Sequence, residues 1–395
     1  MSPERENHDQ EQEIKPAKSE KEIQAKAEKP IKEKAEKPEK PDKEIEVKEK
    51  TEKPEKAEKQ VKEKREKPEQ EAKPVHKMVV SSSPHMFADT SIPKIMWTVN
   101  LTLLPAVLFA VYHFGLPAFK TLLAGALSAV IFEAATQKFM KKPITVKDGS
   151  AFLCGLLLAM CLPPAVPLFI PIVGSFIAIV VAKHAFGGLG YNIFNPAHIG
   201  RAALMVSWPV LMTTWTTMQT VVDTTTSATP LNILKMQGYE ALIQTFGSNS
   251  ELYKALFVGF RNGSIGETSV ILLALGGLFL IYKRYIDWVV PVTMIATVGI
   301  LTWLFGPQGW GSGDPLFHMM AGGLIIGAFF MATDMVTTPI TRKGKLIFAA
   351  GAGALTVLIR LVGGYPEGVC YSILLMNCVT PLIDRYIQPA LYGRK

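Results

Sequence analysis

The sequence predicts an all-α polytopic membrane protein of about ten transmembrane helices, preceded by a charged tail. Of its 395 residues, the first 77 hold 22 Lys and Arg and 22 Asp and Glu. Residues 78–395 hold the remaining 20 basic and 12 acidic residues, which accounts for the whole net charge of +8. This is about half the charge density of a soluble domain. Apolar runs of membrane-spanning length fill the same part of the chain, so a soluble globule is excluded.

The tail, residues 1–90, is rich in Lys, Glu and Pro. The unit Lys-x-Glu-Lys-Pro recurs and ends at Pro30, Pro38, Pro54 and Pro68. Such a segment has too few apolar side chains to offset the entropy lost on ordering, so we expect a disordered cytoplasmic tether. A docking arm for a partner subunit is the alternative, although no residue in the tail specifies a partner.

A membrane domain is expected over residues 91–388, because its apolar runs of roughly 17–22 residues can cross ~30 Å of hydrocarbon. Gly and Pro residues interrupt spans three to five and eight to ten, which predicts broken helices and allows two inverted five-helix repeats. The predicted spans are 94–114, 117–137, 150–163, 167–184, 197–215, 266–283, 288–305, 316–333, 345–362 and 368–387.

Lys and Arg residues are concentrated in alternate connections between the spans, and Asp314 is the one charged residue in the three short connections on the opposite side. Because Lys and Arg favour the cytoplasmic side of a membrane, both termini are expected in the cytoplasm, including residues 389–395. The long loop of residues 216–265 is then expected on the outer face of the inner cell membrane.

Other classes of protein fit the sequence less well. The basic excess lies in short clusters between apolar runs, which argues against binding to nucleic acid. The charged N-terminus has no apolar segment, so no cleavable signal peptide is expected. All four cysteines lie inside apolar runs, so no secreted disulfide framework is expected.

If spans three and ten met, the thiolates of their cysteines could hold an iron–sulfur cluster. Scattered core cysteines show similar spacings, however, and no metal site is predicted. The four are Cys154, Cys161, Cys370 and Cys378.

The predicted outer loop contains a hydroxyl-rich stretch that ends at Thr229 and is followed by Pro230. By itself this stretch predicts a turn with local hydrogen bonds from side chain to backbone, followed by a short helix. Its residues 223–229 read Asp-x-x-Thr-Ser-Ala-Thr, which resembles the acceptor motif for covalently bound FMN.

Four further segments resemble the protein family in which this FMN acceptor motif occurs. Together with the loop motif they resemble RnfD of the Rnf complex and its relative NqrB of the sodium-translocating NADH:quinone reductase. The resemblance extends from about residue 91 to 388, and Thr224 replaces the Gly or Ser that is more frequent in the family. The segments are Lys-His-x-Phe-Gly-Gly-Leu-Gly-x-Asn-x-Phe-Asn-Pro-Ala at 183–197, Gly-Ser-Ile-Gly-Glu-Thr-Ser at 263–269, Met-Ala-Thr-Asp-Met-Val-Thr-Thr-Pro at 331–339 and Gly-Gly-Tyr-Pro-Glu-Gly-Val at 363–369.

The resemblance implies that a flavin transferase esterifies FMN to Thr229. Residues 263–266 are predicted to open span six at the same face, where free N–H groups at a helix start could contact phosphate or reduced flavin. An ordinary helix start capped by Ser264 is the alternative. A second, non-covalent flavin or riboflavin is implied by analogy but not located. The candidate cofactor-binding residues are Thr229, Asp223, Ser227, Ala228, Gly263, Ser264, Gly266, Glu267 and Thr268.

Charged residues inside membrane spans are costly and often functional. Arg201 follows a probable helix break, and Asp334 is followed by Thr337 and Thr338, so these four are candidates for a sodium or proton path. Structural pairing is the alternative for each residue, and snorkelling explains those near the span ends. The charged residues within or beside spans are Glu133, Lys183, Arg201, Glu267, Asp334, Arg360 and Asp384.

The resemblance implies a membrane flavoprotein subunit of an ion-translocating, ferredoxin-oxidising complex, which carries electrons through FMN and exports Na⁺ or H⁺. No Gly-rich nucleotide-binding turn appears, which agrees with an electron carrier rather than a substrate-binding component, and no catalytic residue is predicted. Its partners would be the other subunits, the flavin transferase and the membrane. Two alternatives stay open, namely NqrB of the quinone reductase and a non-redox channel or transporter with a similar number of helices.

Overall fold

The computed structural model describes residues 90–217, 225–226, 228–306 and 309–389, and the predicted tail lies outside the described residues. The first half of the described chain is helical. Helix α1 spans Ile92–Phe114 and α2 spans Leu116–Phe139, and a 3₁₀ turn follows at Val146–Asp148. Then come α3 at Ser150–Met160, α4 at Phe169–Phe176 with a π-helical continuation at Ile177–His184, α5 at Pro196–Ser207 and α6 at Pro209–Thr213.

The second half adds two short antiparallel strand pairs to the helices. Strand β1 (Thr216–Thr217) pairs with β2 (Thr225–Thr226), and these are followed by α7 (Pro230–Phe246), α8 (Asn249–Val258), a 3₁₀ turn (Ile265–Glu267), α9 (Val270–Tyr282) and α10 (Val289–Leu304). Strand β3 (Phe305–Gly306) pairs with β4 (Gly309–Trp310), before α11 (Pro315–Met320), α12 (Leu324–Ile326) with its π-helical continuation (Gly327–Met331), α13 (Arg342–Leu361) and α14 (Val369–Tyr386).

Three helices in the described chain are long and apolar enough to cross a membrane by themselves, namely α1, α2 and α13. Helices α3, α9 and α10 and the continuous α4 segment are apolar but shorter. Large apolar side chains such as Leu101, Leu108 and Leu116 are exposed along α1 and α2. Such a continuous apolar surface fits contact with lipid and not with water. The predicted class, a helical membrane protein, is therefore confirmed.

Glycines allow the central helices to touch at the backbone. A Cβ atom on Gly125 of α2 would lie 2.8 Å from the Cβ of Ala159 in α3. On the other side of the core, a Cβ on Gly353 of α13 would lie 2.9 Å from the carbonyl oxygen of Met294 in α10. Small residues at such contacts maximise packing between membrane helices, where apolar side chains gain little from leaving lipid.

Among the spans predicted to contain broken helices, two are interrupted in the structure, whereas the predicted breaks in spans 345–362 and 368–387 are wrong, because α13 and α14 are continuous. The helix in span 197–215 ends at Ser207, because Pro209 has no N–H group to continue the ladder and disfavours helical backbone at the residue before it. Span 316–333 is broken between α11 and α12, where Gly322 and Gly323 have φ of 70° and 64°. That left-handed backbone suits glycine and stops a right-handed helix.

Candidate functional site

Thr229 begins helix α7. Its Oγ1 accepts a hydrogen bond from the N–H of Asn232 at 3.2 Å, and its backbone is extended with φ of −66° and ψ of 154°. Threonine favours this N-cap position, and Pro230 suits the first helical position because the N–H that it lacks would have no partner there. Thr229 is only 3% exposed. The candidate acceptor is therefore a buried hydroxyl at a helix N-terminus.

Helices α7 and α8 form a small apolar cluster with α11. Ala228 packs at its edge, whereas Asp223 and Ser227 lie outside the described residues. The helix predicted after the hydroxyl-rich stretch is present, and it extends to Phe246 with a kink at Gly238. The cluster consists of Leu231, Ile233, Leu242, Leu252, Leu256, Phe317 and Ala321.

Asp314 ties helices α7 and α8 to α11. Its carboxylate accepts hydrogen bonds from the hydroxyls of Tyr253 at 2.6 Å and Tyr239 at 3.3 Å, and it caps α11 through the N–H of Phe317 at 3.0 Å. Burial raises the pKa of Tyr253, and the neighbouring Asp314 carboxylate raises it further. The Tyr253 hydroxyl therefore remains a hydrogen-bond donor at physiological pH.

Lys235 attaches α7 to the loop after α13. Its ammonium group donates to the carbonyl oxygens of Gly363, Tyr365 and Arg360, the last two at 3.2 and 3.4 Å. Burial lowers the pKa of Lys235. The contacts of α7 thus hold its N-terminus, with Thr229, against the membrane helices.

Residues 263–266, in the segment 263–268, do not open α9 as predicted. The N–H of Ile265 donates to the carbonyl of Leu162 at 3.1 Å, and the N–H of Glu267 donates to the carbonyl of Ser264 at 3.0 Å. Helix α9 begins at Val270, and Ser269 rather than Ser264 caps it. The predicted helix start at this segment is therefore wrong, and these two N–H groups are used within the protein.

The same segment is packed from several sides. Ser264 and Thr268 are each 2% exposed, and a Cβ on Gly266 would lie 2.8 Å from Ile326 Cδ1 and 2.9 Å from the carbonyl oxygen of Met160. Only glycine fits this approach. Residues 263–268 therefore form a packed internal segment and not an exposed helix end.

Five largely buried charged residues, including Glu267 of this segment, lie together. Arg201 of α5 donates to the carboxylate of Glu367, which precedes α14, and their side chains are 8% and 10% exposed. Three arginines and two glutamates give the group a net charge of +1 when all are ionised. The five are Arg201, Arg261, Glu267, Arg360 and Glu367.

The other two arginines hold the chain breaks in place. Arg261 donates to the Glu267 carbonyl through Nε at 3.1 Å and Nη2 at 2.6 Å. Arg360 donates to the carbonyls of His318 at 2.6 Å and Ala321 at 2.9 Å, at the break between α11 and α12. Carbonyls at a broken helix end have no helical partner, and an arginine is well suited to satisfy several of them.

A cavity of 240 Å³ lies between this charged group and the start of α7. Asn232, Trp215 and Tyr371 line it together with Arg201. Arg201 Nε and the Tyr371 hydroxyl are buried and have no hydrogen-bond partner within the described chain. Since buried polar groups are normally paired, the cavity offers two unused polar groups to a ligand.

Asp334 follows the π-helical segment Gly327–Met331. Its carboxylate accepts hydrogen bonds from the Thr337 hydroxyl at 3.3 Å and the Val336 N–H at 3.4 Å, and its carbonyl accepts one from the Thr338 hydroxyl. The structure therefore brings three of the four candidate ion-path residues together. Arg201, the fourth, pairs with Glu367 instead.

Glu133 and Lys183 form a second charged group inside the helices. Lys183 Nζ contacts both carboxylate oxygens of Glu133, at 2.8 and 2.9 Å, and donates to the Ser150 hydroxyl at 2.9 Å. His184 Nε2 lies 3.3 Å from the same carboxylate. From the sequence, Glu133 and Lys183 were identified only as charged residues within or beside spans. Their pairing could not be predicted, because they lie 50 positions apart.

The cysteines are all free thiols. Cys161 Sγ contacts Met331 Sδ at 3.9 Å, and Cys370 Sγ contacts the carbonyl of His198 at 3.5 Å. Within the residues that the structure describes, no three His, Cys, Asp or Glu side chains converge on a point that could hold a metal ion.

Comparison with known proteins decides the family. A family model described as NQR2, RnfD, RnfE matches residues 79–393, about four fifths of the chain. The chain belongs to the NQR2, RnfD, RnfE family. The resemblance predicted from the loop motif and its companion segments is thereby confirmed.

Relatives of known name lie within the RnfD branch of this family. The chain is 65% identical to the D subunit of the proton-translocating ferredoxin:NAD(+) oxidoreductase complex of Clostridium ljungdahlii, over 80% of this chain and 96% of the relative. It is 46% identical to the D subunit of the Na(+)-translocating ferredoxin:NAD(+) oxidoreductase complex of Acetobacterium woodii, over 80% and 95%. It is 42% identical to the D subunit of the ion-translocating oxidoreductase complex of Stutzerimonas stutzeri, over 77% and 93%.

Proposed function

We propose that this chain is the membrane flavoprotein subunit of an Rnf-type complex that oxidises ferredoxin and exports Na⁺ or H⁺. In this proposal it carries FMN as a phosphoester on Thr229 and relays electrons to other subunits of the complex. The relatives named above are subunits of ion-translocating oxidoreductases, which supports this function over a non-redox transporter. They are all D subunits, which favours it over NqrB of the quinone reductase.

The position of Thr229 at the N-cap of α7 is the observation that supports the proposal most directly. A phosphoester on the Thr229 oxygen would place an anionic phosphate at the N-terminus of α7. The positive end of the helix dipole favours an anion there. The charged group, whose net charge is +1 when all its members are ionised, includes Arg201, which lines one cavity with Asn232 in the first turn of α7, and it would add to the attraction.

The 240 Å³ cavity beside Asn232 suits the ring of such a flavin. Trp215 and Tyr371 offer aromatic and polar surfaces, and Arg201 Nε and the Tyr371 hydroxyl are free to donate to carbonyl oxygens. Bound there, the flavin would supply one- and two-electron redox chemistry. The protein would position it and limit access of water.

The proposal is tested on the full chain produced with a flavin transferase. After denaturation and washing, the protein is expected to keep its flavin fluorescence on a gel. Mass analysis should show a fragment containing Thr229 that is heavier by one FMN less one water. Protein made without the transferase is the control and should be unlabelled. A wild-type chain that never becomes fluorescent with the transferase present would contradict the proposed function.

The proposal includes ten membrane crossings with both termini in the cytoplasm and the 216–265 loop, with its FMN, on the outer face. The bias of Lys and Arg toward alternate connections supports this orientation. The crossings would form two inverted five-helix repeats. Crossings three and eight hold equivalent places in these repeats. The helix of crossing three ends at Met160, and crossing eight is broken after Met320.

A labelling experiment tests the orientation. Ser250, in the outer loop, and Ile144, in the 138–147 connection, are both exposed. With Cys378 changed to Ser, Ser250→Cys should react with an impermeant thiol reagent in intact cells, because its side would face outward. Ile144→Cys should react only after lysis. The opposite pattern of labelling would place the FMN loop in the cytoplasm.

Two finer parts of the proposal concern the interior of the helices. An ion path would pass Asp334, Thr337 and Thr338, whose oxygen atoms are suitable ligands for hard cations, and Arg201 would repel cations at its far end. A second, non-covalent flavin or riboflavin would be bound elsewhere within the membrane.

A further inference from the structure

An open groove of 610 Å³ lies between helices α1 and α9 at the periphery of the helix bundle. Lys94 and Leu101 of α1 line it, and Leu275 of α9 lines it opposite, with Lys283 directly after α9. The lining residues of each helix recur at intervals of three and four positions, so each helix contributes one continuous face. The groove is thus a feature along both helices and not a local gap.

The depth of the groove corresponds to one leaflet of a bilayer. From Lys94 to Pro105, the last lining residue of α1, the helix rises about 16 Å. This is about half of the ~30 Å of hydrocarbon in a membrane. The groove therefore begins at the lysine end of α1 and stops near the middle of the bilayer.

The walls are apolar and open, and the floor is closed. Leu101 is 64% exposed and Leu275 is 57% exposed. A Cβ on Gly276 would lie 2.7 Å from the carbonyl oxygen of Thr102, so the two helices touch beneath the groove. A flexible hydrocarbon chain can lie in such a channel without displacing either helix.

Both lysines lie at the same end of the groove. Lys94 is in the first turn of α1, and Lys283 follows the last residue of α9, which runs in the opposite direction. The Lys283 ammonium lies 5.8 Å from the centroid of the Phe279 ring, which also lines the groove. Among the described residues that line the groove none is acidic. The described residues therefore contribute two basic and no acidic side chains to the mouth of the groove.

We propose that this groove binds one anionic phospholipid, with an acyl chain between Leu101 and Leu275 and its phosphate beside Lys94 and Lys283. Basic pockets between membrane helices bind lipid head groups in this manner. A helix of another subunit fits less well, because a crossing helix would follow α1 through both leaflets, whereas the groove ends at Pro105. The site concerns lipid and goes beyond the proposed redox function.

Native mass spectrometry of the full chain tests the charge preference. The chain, released in mild detergent, is titrated with phosphatidylglycerol or phosphatidylcholine of the same acyl chains. Wild type should retain phosphatidylglycerol more tightly. In the Lys94→Gln/Lys283→Gln variant its affinity should fall by about 30-fold, the contribution of two lysines near a membrane surface, to that of phosphatidylcholine. Phosphatidylcholine binding in the same samples reports whether the variant is folded.

A matched control variant loses two lysine charges at a site away from the groove. Lys138→Gln/Lys141→Gln changes two exposed lysines that do not line the groove, and should keep the wild-type preference. Equal loss in both double variants, or no preference in wild type, would overturn the proposal.

A photoreactive phenylalanine in place of Leu275 distinguishes the occupants inside the assembled complex. Crosslinking to a phospholipid, seen as a lipid-sized mass increase on this chain, supports the proposal. Crosslinking to a second polypeptide would show that another protein covers the groove and would overturn it.

Discussion

Thr229→Ala is expected to abolish covalent flavin while the protein still inserts into the membrane. The substitution removes the one oxygen that can form the phosphoester at this position. It also removes the N-cap hydrogen bond to Asn232, which typically costs about 1 kcal/mol, too little to unfold the helices. In-gel flavin fluorescence, normalised to protein in the membrane fraction, should fall to the level of a chain made without transferase.

Two matched variants make this test specific. Thr226→Ala removes a neighbouring hydroxyl and should retain at least part of the fluorescence. Thr229→Ser keeps an oxygen but loses the methyl group that restricts χ1, so partial labelling is expected. Full fluorescence of Thr229→Ala would show that another residue carries the flavin.

Glu133→Leu is expected to be the most destabilising single change among the ion pairs. Glu133 is 1% exposed, and its carboxylate is the charged partner of Lys183 and lies beside His184. Without it the Lys183 ammonium would be buried without a counter-charge, which typically costs about 3–5 kcal/mol. The temperature at which the detergent-solubilised protein loses its monodisperse state should fall markedly.

The double variant Glu133→Leu/Lys183→Met separates pairing from packing. It removes both charges and keeps apolar volume, and replacing a buried ion pair in this way is often neutral or stabilising. We therefore expect most of the lost stability to return. A double variant as unstable as Glu133→Leu would indicate that the carboxylate matters through its other contacts, such as Gln137 at 3.0 Å.

Hydropathy predicted the positions of the helices better than their interruptions. The boundary between α1 and α2 was found within a few residues, because Gly115 and Pro117 interrupt two uniform apolar runs. The break at Gly322 lies within a run whose hydropathy does not change. The glycines of this span did predict a broken helix. The contact from Arg360, more than 30 residues away, that stabilises the left-handed backbone could not be predicted from a local pattern.

The parts of the candidate site that depend on adjacent residues could be predicted from the sequence. Those that depend on contacts between distant residues could not. Thr229 followed from a compact motif, and the sequence Thr229-Pro230 also carries the signature of an N-cap before a first-turn proline. The ion pair between Arg201 and Glu367 joins residues 166 positions apart. The start of α9 was predicted wrongly for the same reason. The N–H of Ile265 donates to the carbonyl of Leu162, which lies on a distant segment.

The burial of Thr229 sets an order of events in maturation. A hydroxyl that is 3% exposed and engaged with Asn232 offers a second enzyme no route of approach. The proposed esterification would therefore take place during biogenesis, before α7 packs against the helices, or during transient openings of this segment. A chain that closes first would be trapped in an unmodified form, so the supply of transferase and flavin during synthesis, rather than afterwards, would determine the yield of active complex.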